Sequence, residues 1–125
     1  LAEAHFEYIR WQDVAVEPMS ATIGRQFVHT ETTMLARVLL TKGAHVPLHS
    51  HPNEQLTYVL EGALLFRIDG REFTVRAGEV LTIPPNMPHE AFALEDTVDL
   101  DIFNPPRQDW IDRDDAYLRE DASRQ

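Results

Sequence analysis

Gly43-Ala44-His45-Val46-Pro47-Leu48-His49-Ser50-His51-Pro52-Asn53-Glu54-Gln55 is the stretch on which the reading of this chain turns. With Gly62 it completes the pattern G-x5-H-x-H-x3-Q-x6-G. A second stretch runs from Gly78 and ends Ile83-Pro84-Pro85-Asn86-Met87-Pro88-His89, in the pattern G-x5-P-x-N-x2-H. Side chains two apart on a strand share a face, so His49 and His51 project together and can close on one ion at about 2.1 Å per nitrogen. Gln55 regains that face if the strand resumes beyond Pro52, which marks a bend or an edge. His89 needs a different strand, and the run Val80 to Ile83 supplies one that ends at the Pro-Pro turn.

Three imidazoles and one amide form a suitable ligand set for one divalent transition metal ion: Ni, Zn, Mn, Fe or Cu. A lone strand histidine is more often a hydrogen-bonded structural residue. A pair at i and i+2, with a third histidine in a second glycine-spaced motif, points to ligands instead. His5, His29 and His45 have no such company and are read as surface or core residues.

Around these motifs the chain alternates like a strand protein. Ile23 to His29, Met34 to Thr41 and Leu56 to Leu60 are strand candidates. Leu64, Phe66 and Ile68 alternate with Leu65, Arg67 and Asp69, and Asp69-Gly70 signals a hairpin. Phe73 and Val75, Val80 to Ile83, Glu90 to Leu94 and Val98 to Phe103 complete the set, with turn signals between them that predict an all-β sandwich or barrel. Residues 1–33 read as an N-terminal arm with one short strand, then the first strands of the fold. Residues 34–106 read as the barrel core and 107–125 as a short C-terminal helix, all in one domain. Asp109 is the expected helix cap, with Trp110, Ile111, Tyr117 and Leu118 on one face. The helix is expected to dock on the barrel; a lid over the cavity mouth is the alternative.

Composition narrows the function classes. The 125 residues suffice for one core, and no cysteine offers a disulfide or a thiolate site. Twenty-one acidic against eleven basic residues give a net charge of −10, which repels nucleic acid and anionic membranes. No apolar run is long enough for a spanning helix. Leu1-Ala2-Glu3-Ala4-His5 does not read as a signal peptide, so a cytoplasmic location is expected. An apolar arm on one small barrel favours a homodimer.

The two motifs resemble those of the cupin family, and the resemblance covers about residues 34–106. It implies a double-stranded β-helix, or jelly-roll barrel, with one metal inside. The fifteen residues between Gly62 and Gly78 fit the compact intermotif loop of microbial cupins. Three positions depart from the family pattern: Gln55 stands where many cupins have glutamate, Asn86 replaces a glycine, and Ala93 replaces an asparagine. With Gln55, all four protein ligands are neutral and the ion keeps its full double charge. That favours a carboxylate-bearing small molecule as the partner.

Within the cupins, the glutamine resembles the KdgF group, which linearises unsaturated uronate monomers. That group's proposed working residues are an aspartate, a phenylalanine and an arginine on the last barrel strand. Asp101-Ile102-Phe103-Asn104-Pro105-Pro106-Arg107 presents the same types in the same order. The resemblance thus implies Asp101 as proton carrier, Phe103 as an apolar wall, and Arg107 as partner of the substrate carboxylate or of Asp101. Alternation puts Asp99, Asp101 and Phe103 on one face, with Val98, Leu100 and Ile102 on the other. An ordinary Asp101–Arg107 ion pair is the structural alternative. Arg37 and Arg67 are further candidates for a cavity cation.

The expected function is metal-dependent ring opening of a sugar acid. Its alternatives are a cupin dioxygenase or other isomerase acting on a small carboxylate, and a sugar-acid binding module without turnover.

Overall fold

A computed structural model describes residues 6–123, so His5 and the rest of the Leu1–His5 stretch lie outside the described residues. Ten strands build two antiparallel sheets. β1 (Glu17–Pro18), β2 (Ile23–His29), β3 (Met34–Leu40), β10 (Thr97–Asn104), β5 (Glu54–Glu61) and β8 (Val80–Ile83) lie side by side in the first. β4 (His45–His49), β9 (His89–Ala93), β6 (Ala63–Ile68) and β7 (Arg71–Arg76) form the second. The barrel expected from the sequence is present.

Turn chemistry fixes the strand order locally. Asp69 and Gly70, at φ 53° and 71°, make the two-residue link between β6 and β7, as a primed hairpin turn requires. Gly62 joins β5 to β6 at φ 90°, where a Cβ would stand 2.4 Å from the Asp96 carbonyl oxygen. No other residue fits that close approach. Asn86 also lies in the left-handed region, at φ 66°. Asparagine tolerates that region better than most residues, which explains how it replaces the family's glycine.

The inner faces of the sheets follow the period of two. Along β10, Thr97, Asp99, Asp101 and Phe103 are buried, while Val98, Leu100 and Ile102 on the other face are only half-buried. Pairing places these inward residues in rows across β3, β10 and β5. Asp101 stands between Ala36 and Thr57, and Phe103 between Met34 and Gln55. Met34, Ala36 and Phe103 are among the most buried apolar residues, so the polar rows sit inside the barrel core.

The C-terminal segment corrects the expectation of one helix. It forms α1 (Gln108–Ile111) and α2 (Ala116–Ser123). Arg113, at φ 59°, ends α1: its N–H bonds to the Trp110 carbonyl, and the Asp114 N–H to that of Asp109. That is a Schellman stop without a glycine. Asp109 is not the cap, since Arg107 holds that position and receives the Asp109 carboxylate instead. Trp110 and Leu118 are buried all the same, and Ile111 and Tyr117 pack against the core. The N-terminal arm contributes a 3-10 turn at Trp11–Asp13 as well as β1, which pairs with β2. Among the described residues, no helix is long and apolar enough to cross a membrane.

Candidate metal centre and cavity

His49 ends β4, His89 opens β9, and the two are register partners beside an irregularity between Val46 and His49. Such an irregularity re-aims side chains, and here the two rings come to 4.2 Å between centroids. His51 is not on a strand with His49, as the spacing had suggested. It lies in the loop that Pro52 forces, and its ring reaches the same point from there. Nor does His89 extend the Val80–Ile83 strand; it follows the Pro84-Pro85 turn and starts the next one. One ligand-capable nitrogen from each of the three histidines lies within 4.8 Å of the others.

The hydrogen bonds of these rings decide what the cluster can hold. Nδ1 of His49 faces the Pro47 carbonyl at 2.8 Å, that of His51 faces Asn53 at 3.1 Å, and that of His89 faces Met87 at 2.8 Å. A carbonyl only accepts, so each Nδ1 carries the proton and each Nε2 keeps its lone pair. Burial holds the rings neutral. Burial and the neighbouring His89 push His49 down to about 3 from the ordinary 6.5, and burial with Arg107 pushes His51 to about 4. Burial lowers His89 as well.

The orientation of Gln55 follows by elimination. Thr57 Oγ1 donates its only proton to Asp101 Oδ1 at 2.8 Å. The Gln55 amide must therefore donate from Nε2 to Thr57, again at 2.8 Å, which turns its Oε1 to the His51 Nε2 at 2.9 Å. Two lone-pair atoms then face each other with no proton between them. A cation bound beside both would satisfy both lone pairs. The residues fit a divalent metal, and a zinc, nickel, manganese, iron or copper ion would each find nitrogen and carbonyl oxygen here.

A cavity of about 60 Å³ adjoins the cluster, with His49, Gln55 and His89 in its wall. The structure brings Asp101, Phe103 and Arg107 to the same cavity. Asp101 is buried and its pKa is raised by that burial, against the pull of Asp99, Thr57, Arg107 and Gln55. Phe103 meets the His51 ring edge-on at 5.7 Å between centroids. Arg107 does not pair with Asp101. Its Nε and Nη2 grip the Asp109 carboxylate at 2.9 and 2.7 Å, and its guanidinium lies over Phe103 and Trp110.

Arg37 and Arg67 stand away from the cavity. Arg37 binds Gln26 on the opposite face of β3, and Arg67 is exposed with Glu72 and Glu90. The second cavity cation is Arg25, buried and paired with Asp115 at 2.5 Å and with Glu17. No local signal marked it as a buried cation, because its fully buried partner Asp115 lies ninety residues away. Tyr117 and Asp99 also line the cavity. His45 pairs with Glu90 at 2.7 Å, and His29 bonds to the Thr30 carbonyl. Neither joins the cluster.

A barrel of two antiparallel sheets with metal-competent histidines inside defines a cupin, and the chain belongs to that family. The Cupin domain family model matches residues 36–104. Superposed on the structure of KdgF from Halomonas sp., the chain gives a TM-score of 0.80 at 27% identity, over 85% of this chain and 99% of that one. The Oxalate-binding protein of Thermotoga maritima is 27% identical over 85 residues, 67% of this chain and 68% of that protein. The uncharacterized protein MJ1618 of Methanocaldococcus jannaschii is 37% identical over 57 residues, 45% of this chain. That match spans 46%, or about half, of the relative's own length.

Proposed function

We propose that this protein is a metal-dependent enzyme that opens the ring of 4,5-unsaturated monouronates, converting a cyclic hemiacetal to a linear keto acid. The observation that carries the reading is the relay from Gln55 through Thr57 to Asp101, which couples the candidate metal cluster to one buried carboxyl in a shared cavity. The likeness to KdgF from Halomonas sp. supports it.

When bound by His49, His51, Gln55 and His89, the metal supplies Lewis acidity undiminished by any anionic protein ligand. Asp101 takes the proton of the anomeric hydroxyl. The bond from C1 to the ring oxygen breaks as C1 becomes a carbonyl. The ring oxygen becomes the C5 ketone, and Asp101 returns the proton to C4. Every atom is conserved, and neither dioxygen nor a redox cofactor is consumed. Its raised pKa suits Asp101 to both halves of the transfer, a role worth about 10²–10⁴-fold in rate. Arg107, held rigid by Asp109, presents a cation to the substrate carboxylate, and Phe103 keeps that part of the wall apolar.

Turnover of a purified unsaturated monouronate in an oxygen-electrode cell tests the reading. Loss of the substrate's ultraviolet band without oxygen uptake is expected. Oxygen uptake in step with that loss would select a dioxygenase instead. A second reading, a carboxylate-binding module without turnover, is favoured by the likeness to the Oxalate-binding protein. Tight oxalate binding with no uronate turnover would select it.

A further inference from the structure

Tyr117 reaches the candidate metal centre from α2, outside the segment that carries the two motifs. Its ring stacks on His49, with centroids 4.3 Å apart and planes at 20°. The hydroxyl oxygen accepts two hydrogen bonds, from Arg107 Nη2 at 2.8 Å and from Trp110 Nε1 at 2.9 Å. Guanidinium and indole N–H groups donate and never accept, so both bonds occupy lone pairs of the phenol oxygen. Its own proton must go elsewhere. Among the described residues, no acceptor receives it.

The same holds for one edge of Arg107. Nε and Nη2 are taken by Asp109 and Tyr117, while Nη1 has no acceptor among the described residues. Both groups line the cavity that His49, Gln55 and His89 share. Two adjacent donors without acceptors, next to a centre built for a dication, call for a ligand that is anionic and accepts at more than one atom. A carboxylate meets both conditions. The cavity of about 60 Å³ thus offers a fixed anchoring point for the charged end of a ligand.

We propose that Tyr117 is a substrate-binding residue whose O–H donates to a carboxylate oxygen beside the open Nη1 edge of Arg107. The proposal rests on reading the site as one for carboxylate-bearing small molecules, and it does not require the ring-opening reaction. The chain's charge of −10 repels such a ligand at a distance, so capture depends on local donors of this kind.

Tyr117→Phe tests it, because the ring stays on His49 and only the hydroxyl is removed. Oxalate, acetate and glucuronate are titrated separately into zinc-loaded wild type and variant by calorimetry. Affinity for each carboxylate that binds wild type is expected to fall about tenfold, as for a lost hydrogen bond to a charged group. Zinc content and affinity for imidazole, a neutral probe of the ion, are expected to stay unchanged. A second measurement needs no altered site: wild type labelled at tyrosine Cζ is observed by NMR as carboxylate is added. The Tyr117 resonance is expected to move while those of exposed Tyr8 and Tyr58 stay. Equal affinities in the two proteins, a still Tyr117 resonance, or no carboxylate binding by wild type would each overturn the proposal. Tyr117-dependent carboxylate binding without uronate turnover would sink the ring-opening reading and leave this one standing.

Discussion

Thr57 gives its single hydroxyl proton to Asp101 across 2.8 Å, from the position directly opposite in the β5–β10 register. That one bond orients the rest of the centre. Since Thr57 has nothing left to donate, Gln55 must donate to it, and the amide oxygen must point to His51. A glutamate at 55 cannot make the first of these bonds. The glutamine therefore fixes Thr57 and Asp101 as well as facing His51.

Gln55→Glu is accordingly expected to retain metal, since it adds a negative charge to the ligand set, yet to lose at least tenfold in turnover. Its carboxylate competes with Asp101 for the Thr57 proton. Thr57→Val leaves Gln55 and Asp101 each short of a buried partner and should destabilise by about 1–3 kcal/mol. Metal analysis, initial rates and denaturant unfolding of the two variants check this. A fully active Gln55→Glu protein would show that the relay is not used.

His51→Ala and His89→Ala are each expected to lower metal affinity by more than the 10–100-fold typical of lost outer-shell partners. His45→Ala and His29→Ala are expected to leave it unchanged, because their rings lie outside the cluster. Competition against a coloured chelator measures all four. Equal losses in His29→Ala and His89→Ala would refute the ligand set.

Acid should act on the metal-free protein in a defined direction. His49 and His51 are held at about 3 and about 4, below the 6.5 of an ordinary imidazole. As pH falls below 6.5, the unfolded chain binds protons that the folded chain refuses. The stability these rings contribute is thus full above that value and declines as pH falls towards their folded values. The melting temperature of the metal-free protein is expected to drop through that window, and to drop less in His49→Gln. Identical slopes would show that His49 is already protonated in the fold.

Much of the fold, and the meeting of the three candidate histidines, was legible in the sequence because they rest on local rules. Alternation in β10 placed Asp99, Asp101 and Phe103 together, and Asp69-Gly70 announced its hairpin. The misreadings lie where a local rule met a long-range constraint. His51 reaches its place from a loop, since Pro52 interrupts the strand that spacing alone would continue. The helix splits at Arg113, a residue with no glycine-like signature, while Asp115 is drawn into a buried pair with Arg25. Arg25 and Tyr117 come to one cavity only when β2 and the C-terminal helical segment meet, as the Arg25–Asp115 pair shows. No spacing rule could have shown that.

Asp99 offers a test of the barrel's buried charge. Burial, and then Asp101, hold its pKa well above the ordinary 3.8, and its Oδ1 has no hydrogen-bond partner. A raised folded pKa means that the group's contribution is full in acid and is lost as pH rises through the folded value. Asp99→Asn has no charge to bury, so its stability relative to wild type should improve from about pH 5 to about pH 8. Thermal unfolding at the two pH values measures the difference. An unchanged or reversed difference would show that Asp99 is ionised and stabilised in the fold.

Metal-dependent uronate opening through Asp101 is tested most directly by one rate. The measurement is the initial loss of ultraviolet absorbance from a 4,5-unsaturated monouronate, in metal-free, zinc-reloaded and zinc-loaded Asp101→Asn protein. The expected result is a reloaded rate well above spontaneous opening, a metal-free rate equal to it, and an Asp101→Asn rate lower than reloaded by about 10²–10⁴-fold with zinc retained. A zinc-loaded wild-type protein that leaves the spontaneous rate unchanged would contradict the account.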